Sequence, residues 1–179
     1  MRRAFALLVL CAVLPPPAAA GDLFGGYSIM RVDDHQVSGG AVAWSWPLGR
    51  HVRLAAEGSV ERGLVAGENL DEWAFLGGPV RSPWREGRFS PFVHVKAGFV
   101  RSRRQVEVFG VGIGPDGVCD GGCPYSTGAV AEFGGGLDYR LSDRLAIRVP
   151  QVDYRVAQLD DSTAKRLRVS TGVVYRWGD

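Results

Sequence analysis

The chain has 179 residues, including 25 glycines, and its 21 basic and 19 acidic side chains leave a formal charge of only +2. This near-neutral balance argues against nucleic acid as a partner. Beyond the N-terminal segment no apolar run reaches the roughly 18 residues of a membrane-spanning helix, which excludes a helical membrane protein.

The N-terminus has the pattern of a secretory signal peptide. Two arginines precede an apolar stretch at residues 4–14, and a proline-rich segment of small residues ends at Ala20. The apolar stretch is too short for a membrane-spanning helix, which needs roughly 20 residues. We therefore predict cleavage after Ala20, which divides the chain into a signal peptide at 1–20 and one mature domain at 21–179.

Short segments of the mature domain alternate between apolar and polar residues with the period of two that is typical of β-strands. The predicted strands lie at 23–32, 38–48, 51–61, 71–81, 90–101, 127–141, 144–157 and 165–177. Each is close to the 9 to 11 residues, roughly, that a tilted strand needs to cross a bilayer. Since no segment has a convincing helical period, the sequence predicts an all-β fold.

The predicted connections alternate in length along the chain. Short links fall at 48–50, 83–88 and 142–144, and longer polar links fall at 33–37, 62–70, 102–126 and 158–164. Short periplasmic turns and long extracellular loops are typical of outer-membrane barrels. We therefore predict an antiparallel up-and-down transmembrane β-barrel of about eight strands, with both termini in the periplasm.

The two faces of the predicted strands differ in chemistry. In the last strand Leu167, Val169, Thr171, Val173, Tyr175 and Trp177 share one face, and Arg166, Arg168, Ser170, Gly172 and Arg176 share the other. Alternation alone does not say which face is inward. The polar face carries charges of both signs on several strands, mostly arginine among the bases, and these can pair in a closed lumen. Tyrosines and tryptophans near strand ends can form interfacial girdles. Both features favour an apolar face towards lipid.

The seventh predicted strand breaks phase at Pro150. Leu145 and Ile147 face one way, whereas beyond the proline the apolar set continues with Val152 and Tyr154. One slipped residue is a β-bulge, and a proline cannot donate to the strand ladder. The sequence thus predicts a bulge at Pro150.

Three segments resemble a known family. The segment 133–149, followed by Gln151 to Tyr154, resembles the late hairpin of the outer-membrane β-barrel domain family, the porin-like, OmpA-type small barrels. Residues 25–28 and 88–94 are similar to other recurring pieces of that family. The resemblance implies the fold and a location in the bacterial outer membrane. It says little about activity, because the shared segments are structural.

The C-terminus matches the assembly signal of such barrels, which has a polar residue, a glycine two positions on, and two hydrophobic residues at spacing two. Ser170, Gly172, Tyr175 and Trp177 fit this pattern, although Gly178 and Asp179 follow the last aromatic residue. The match implies the barrel-assembly machinery and outer-membrane lipid as partners.

Two cysteines remain in the mature domain, Cys119 and Cys123, within the longest predicted connection. Because an exported protein meets an oxidising compartment, we predict a disulfide between them. A metal site is the alternative, but no histidine lies nearby in sequence and two thiolates seldom complete one.

Residues suited to catalysis are few. His94 is predicted to point inward beside Lys96, as part of a polar network in the lumen. His35 and His51 fall at predicted strand ends, where we expect them to be solvated. We therefore predict no catalytic residue, no cofactor and no metal site.

These observations predict a non-enzymatic, monomeric outer-membrane barrel with a structural or surface-interaction role. Its interior would be filled by side chains, since eight strands leave no room for a wide pore. Two alternatives remain open. One is an outer-membrane enzyme that modifies lipid, and the other is a soluble periplasmic barrel of lipocalin type with its apolar faces inward. The sequence names neither a ligand nor a surface partner.

Overall fold

The computed structural model describes residues 20–84, 87–108, 111–114, 117–119, 125–159 and 162–178. They form the strands β1 (Gly21–Val32), β2 (His35–Pro47), β3 (Val52–Val65), β4 (Glu68–Arg81), β5 (Phe89–Val108), β6 (Val111–Gly114), β7 (Gly117–Cys119), β8 (Ser126–Arg140), β9 (Leu145–Leu159) and β10 (Ser162–Trp177). These ranges contain no helix that is long and apolar enough to cross a membrane. Residues 1–19 lie outside them, so the signal peptide and its cleavage site stay predictions.

Eight of the strands close into an antiparallel barrel. Each strand pairs with its neighbour in the order β1, β2, β3, β4, β5, β8, β9, β10, and the pairing of β10 with β1 closes the ring. The short strands β6 and β7 form a small hairpin on the far end of β5. The predicted fold class is confirmed. The eight barrel strands begin and end within four residues of the predicted positions, except that β5 continues seven residues beyond its predicted end.

The two ends of the barrel differ in their connections. Gly21 and Trp177 pair at one end, which we call the terminal end. The links at this end span residues 48–51, 82–88 and 141–144. At the opposite end β5 runs for 20 residues and continues into β6 and β7. Because the longest connection of an outer-membrane barrel is extracellular, we assign the opposite end to the cell exterior and the terminal end to the periplasm.

All four predicted long loops are too long. Residues 158–159 and 162–164 of the last one are strand, and the third contains the end of β5 with β6 and β7. Residues 33–37 and 62–70 are mostly strand, and two-residue turns at Asp33–Asp34 and Ala66–Gly67 connect β1 to β2 and β3 to β4. Ala66 and Gly67 have φ angles of 52° and 87°, the left-handed geometry of a tight hairpin turn. The sequence pattern does not reveal these strand ends, because polar residues and glycines there resemble loop sequence.

The predicted bulge at Pro150 is confirmed. Gly136 and Asp138 of β8 pair with Gln151 and Arg148, so that β9 carries one residue more than its partner between these two pairs. The same surplus appears against β10. The extra residue lets Arg148 and Gln151 both face inward.

The outer wall is apolar and the interior is mostly polar, as predicted. Val169 on the outer face of β10 is 42% exposed, whereas its neighbour Arg168 is completely buried. Phe133 and Glu132 on β8 show the same contrast, at 54% and 0%. The prediction of which strand face is inward is therefore correct.

The lumen also holds apolar clusters that the sequence did not predict. At the extracellular end one cluster joins Met30, Val32, Val37, Val65 and Leu70, all nearly inaccessible. A second contains Ala74, Leu76, Val100, Val130 and Ala157. Towards the periplasm Phe24 packs with Ala41, Ala146 and Val174. Apolar layers thus lie above and below the charged middle of the lumen.

Candidate functional site

Arg168 on β10 is the centre of the charged network in the lumen. Its guanidinium lies 2.9 Å from Asp153 Oδ2, 3.4 Å from Glu132 Oε1 and 3.6 Å from Glu61 Oε1, and it also contacts Glu57. The β-strand alternation aims all these side chains inward from strands on different sides of the barrel. One arginine therefore joins carboxylates from β3, β8 and β9.

Arg155 and Lys96 extend the same network across the barrel. Arg155 lies 2.9 Å from Glu132 and 3.6 Å from both Glu61 and Glu72. Lys96 Nζ lies 2.9 Å from Glu132 Oε1 and also contacts Glu57. Because these side chains are 3% exposed or less, each pair is desolvated and its charge is balanced by protein groups rather than by water.

His94 lies in this network beside Lys96, as predicted. Its Nε2 is 3.1 Å from Asp153 Oδ1 and 3.7 Å from Glu132 Oε1. These three side chains could in principle hold a metal ion, since one ligand atom from each lies within 4.8 Å of the others. Glu132, however, already binds Lys96, and Asp153 already binds Arg168. The arrangement is therefore that of an ion-pair network with a histidine at its edge.

A second charged group lies nearer the periplasmic end. Arg148 donates two hydrogen bonds to Asp138, at 2.8 and 3.2 Å, and its guanidinium covers the rings of Phe24 and Phe92 at 4.6 and 4.2 Å. Arg148 also donates a hydrogen bond of 3.0 Å to Gln151, which in turn donates one of 2.8 Å to Asp153. Gln151 thus connects the two charged groups, and the Pro150 bulge makes this connection possible.

A polar recess opens at the extracellular end, above the charged network. Its volume is about 380 Å³, and it is lined by Val32, Asp33, Arg104, Thr163, Ala164, Lys165 and Arg166. Arg166 pairs with Glu72 of the network. The recess therefore ends on the ion pairs inside the barrel.

Arginines also gather on the outer wall near the extracellular end. Asp71 lies 2.9 Å from Arg62 and 3.5 Å from Arg103, and it accepts a hydrogen bond of 3.0 Å from the Tyr125 hydroxyl. The guanidinium of Arg101 covers the Tyr125 ring at 4.2 Å. We call Arg62, Asp71, Arg101, Arg103 and Tyr125 the outer rim. The sequence alone did not indicate this cluster, because Arg62, Arg103 and Tyr125 fall in predicted loops.

The proposed assembly-signal residues lie on both faces of β10. Ser170 and Gly172 point into the lumen, and a Cβ on Gly172 would lie 2.2 Å from the Gly25 carbonyl oxygen, so this close approach requires glycine. Tyr175 and Trp177 point outward, with ring centroids 6.1 Å apart, and Trp177 meets Trp44 edge-on at 5.4 Å. These positions suit an aromatic girdle at the periplasmic interface. The signalling role stays a prediction.

The predicted disulfide falls outside the described residues. Cys119 ends β7, but its side chain is not among the described ones, and neither is any part of Cys123. The bridge therefore stays a prediction.

Comparisons with known proteins agree on the fold. Neisserial surface protein A is similar with a TM-score of 0.65 and 10% identity over 89% of this chain and 97% of that one. Ail, the attachment invasion locus protein of Yersinia pestis, has a TM-score of 0.56 and 16% identity over 89% and 99%. The N-terminal barrel of Pseudomonas aeruginosa OprF has a TM-score of 0.51 and 14% identity over 88% and 99%. No family model and no curated protein sequence matches the chain.

The chain has the fold of the small, OmpA-type outer-membrane barrels, as the resemblance in its sequence implied. Its apolar side chains cover the outer wall, whereas those of a soluble lipocalin line the interior. The fold and the wall together place the protein in the bacterial outer membrane.

Proposed function

We propose that the protein is a closed, non-enzymatic barrel with a structural or surface-interaction role and no wide pore. The observation that carries this proposal is the occupation of the lumen by cross-barrel ion pairs between apolar layers. Arg168 alone contacts carboxylates on three other strands. An ion or solute in transit would have to displace these pairs.

The size of the barrel supports the same proposal. Eight strands enclose an interior just wide enough for side chains to fill. Here Arg155, Arg168, Met30 and Leu70 are among the largest fully buried side chains. Large side chains thus fill both the charged middle and the apolar layer at the extracellular end.

The extracellular end offers surfaces for interaction. The hairpin extending from β5 and the polar recess beside Lys165 both lie there. The similar proteins from Neisseria and Yersinia are described as a surface protein and an attachment protein. These descriptions support a surface role for this chain, and we propose no particular partner.

A lipid-modifying enzyme is less well supported. Such an enzyme needs a nucleophile or an activated water near the lipid-facing rim. The buried His94 lies instead inside the barrel, with carboxylates at 3.1 and 3.7 Å. Its position inside the lumen keeps it away from lipid esters at the outer wall.

Planar-bilayer recording tests the closed lumen. We expect purified, refolded protein to give no stepwise conductance, while a known porin in the same bilayer does. Reproducible open steps from the wild-type protein would contradict the proposal. Incubation with radiolabelled phospholipid in detergent provides the second arm, and release of fatty acid would favour the enzyme alternative.

A further inference from the structure

An apolar groove lies on the lipid-facing wall across β1, β2, β3 and β4. Its volume is about 350 Å³, and its lining residues are Gly26, Gly40, Ala41, Val42, Gly58, Ser59, Val60, Trp73 and Phe75. The strand register explains the shape, since Gly58 lies between Val42 on one side and Phe75 on the other. This volume is within the range, about 300 to 1,000 Å³, of cavities that hold small organic ligands.

The glycine at the bottom of the groove is not required by backbone packing. A Cβ at Gly58 would meet only the Phe75 ring, at 3.5 Å, which is ordinary van der Waals contact. A Cβ at Gly39 on the neighbouring strand would instead lie 1.7 Å from the Val60 carbonyl oxygen. Glycine within a strand weakens it, and often marks a site where another molecule approaches closely. Gly58 therefore keeps a depression open that a larger side chain could fill.

The outer rim lies directly above this groove. Arg62 follows Val60 by two residues on the outer face of β3, and Arg101 is the register partner of Trp73. The Arg62 side chain is 66% exposed, and its guanidinium lies 5.9 Å from the Trp73 ring centroid. Asp71 is the acidic side chain in contact with Arg62 and Arg103. One carboxylate thus faces several guanidinium groups, and the rim is cationic.

We propose that the groove and the outer rim form one binding site for a phosphate-bearing lipid. An acyl chain occupies the groove, and the phosphate binds Arg62 and Arg101. The groove is apolar and lies on the membrane-facing wall, where the available ligand is an acyl chain. Guanidinium groups bind phosphate through paired, charge-assisted hydrogen bonds, and basic sites at the membrane surface recognise lipid head groups. The site therefore recognises both ends of one molecule.

Native mass spectrometry of the mature barrel in detergent micelles tests this site. The probes are dimyristoyl phosphatidate and dimyristoylglycerol, which share their acyl chains and differ in the phosphate. We expect a one-to-one complex with phosphatidate at least about tenfold tighter than with dimyristoylglycerol, a preference of about 1.4 kcal/mol. Equal binding of the two lipids would overturn the proposal.

Two pairs of variants locate the site. Gly58→Leu fills the groove and should weaken phosphatidate binding at least about tenfold, while Gly77→Leu, on the outer wall but outside the groove, should not. A Cβ at Gly77 lies 3.6 Å from the Ala55 carbonyl oxygen, so the control is sterically matched. Arg62→Gln combined with Arg101→Gln should remove the preference for phosphate, while Arg81→Gln at the other end of β4 should keep it.

The outcome remains decisive if one variant folds poorly. Each variant is first checked for heat-modifiable migration on gels, and Gly58→Ala replaces the leucine variant if necessary. Wild-type binding by Gly58→Leu would overturn the proposal. So would a wild-type dimer that Gly58→Leu dissociates, because the groove would then be a contact between two copies of the chain.

Discussion

Arg168 shows how this barrel tolerates a fully buried charge. Its side chain contacts Glu57, Glu61, Glu132 and Asp153, so the cost of removing it from water is offset by several carboxylates. Replacing one partner in such a network leaves the others buried and uncompensated. The energetic consequence should therefore be large at Arg168 and small at an exposed arginine.

We expect Arg168→Met to lower the free energy of unfolding by about 3 to 5 kcal/mol, the usual cost of breaking a buried ion pair from one side. Arg31→Met is the control, because the Arg31–Asp34 pair has side chains 63% and 95% exposed and should contribute at most about 1 kcal/mol. Urea unfolding in lipid vesicles, followed by tryptophan fluorescence, measures both. Equal losses would mean that the network does not stabilise the barrel.

Among the strands, β9 has one residue more than regular pairing requires. Gln151 and Arg148 both face the lumen although three positions separate them, which regular alternation does not allow. Pro150 occupies the bulge. Proline has no N–H to donate, and at a bulge the strand ladder does not need that hydrogen bond. The bulge therefore keeps the apolar residues of both halves of β9 on the outer wall.

Deletion of Pro150 should consequently be tolerated. It removes the surplus residue and leaves Arg148 and Gln151 facing inward, in regular register with β8 and β10. Deletion of Val169 from β10 is the matched control, because it has no surplus to remove and turns half of the strand inside out. Heat-modifiable migration and protease resistance report on assembly. Loss of assembly on deleting Pro150, with assembly kept on deleting Val169, would contradict the register.

Trp177 at the end of β10 is proposed to belong to the assembly signal, and its substitution tests that role. We expect Trp177→Ala to lower the amount of protein that reaches the outer membrane, while the protein that arrives remains folded. The lost contacts with Trp44 and Tyr175 should cost only about 0.5 to 1.5 kcal/mol each, so the larger effect belongs to recognition during assembly.

Trp46→Ala is the control for this experiment, because Trp46 stacks on Trp44 at 5.8 Å but lies outside the proposed assembly signal. Its level in isolated outer membranes should match that of the wild type on immunoblots. Equal reduction by both substitutions would show that Trp177 acts through the aromatic girdle alone.

For the molecule as a whole, the alternation in the sequence predicted most of the fold. It located the eight strands, their inward faces, the Pro150 bulge and the lumenal position of His94, since a pattern of period two directly reflects the two faces of a sheet. It missed the extracellular strand ends, because polar residues there resemble loops. It also missed the apolar cluster around Met30 and Leu70. These two residues occupy inward positions, where the pattern predicts polar side chains.

The groove and the outer rim could not be predicted from the sequence for another reason. Gly58, Phe75 and Arg101 lie on three strands, and only the register brings them to one patch of wall. Register depends on turns and bulges, and the two-residue turn at Ala66–Gly67 was not predicted. A site formed by residues of several strands therefore becomes visible only in the structure. The inward and outward faces of a single strand can be predicted from its sequence.

The central claim is that the apolar wall faces lipid and the charged lumen is closed. Methyl NMR of the barrel in lipid nanodiscs tests it most directly, with one paramagnetic label on the acyl chains and a second on a water-soluble chelate. We predict that the acyl-chain label broadens the outward methyls of Val95, Val152 and Val169, and that neither label broadens the inward methyls of Val100 and Val130. Broadening of the outward methyls by the chelate alone, or of the inward methyls by either label, would contradict the account.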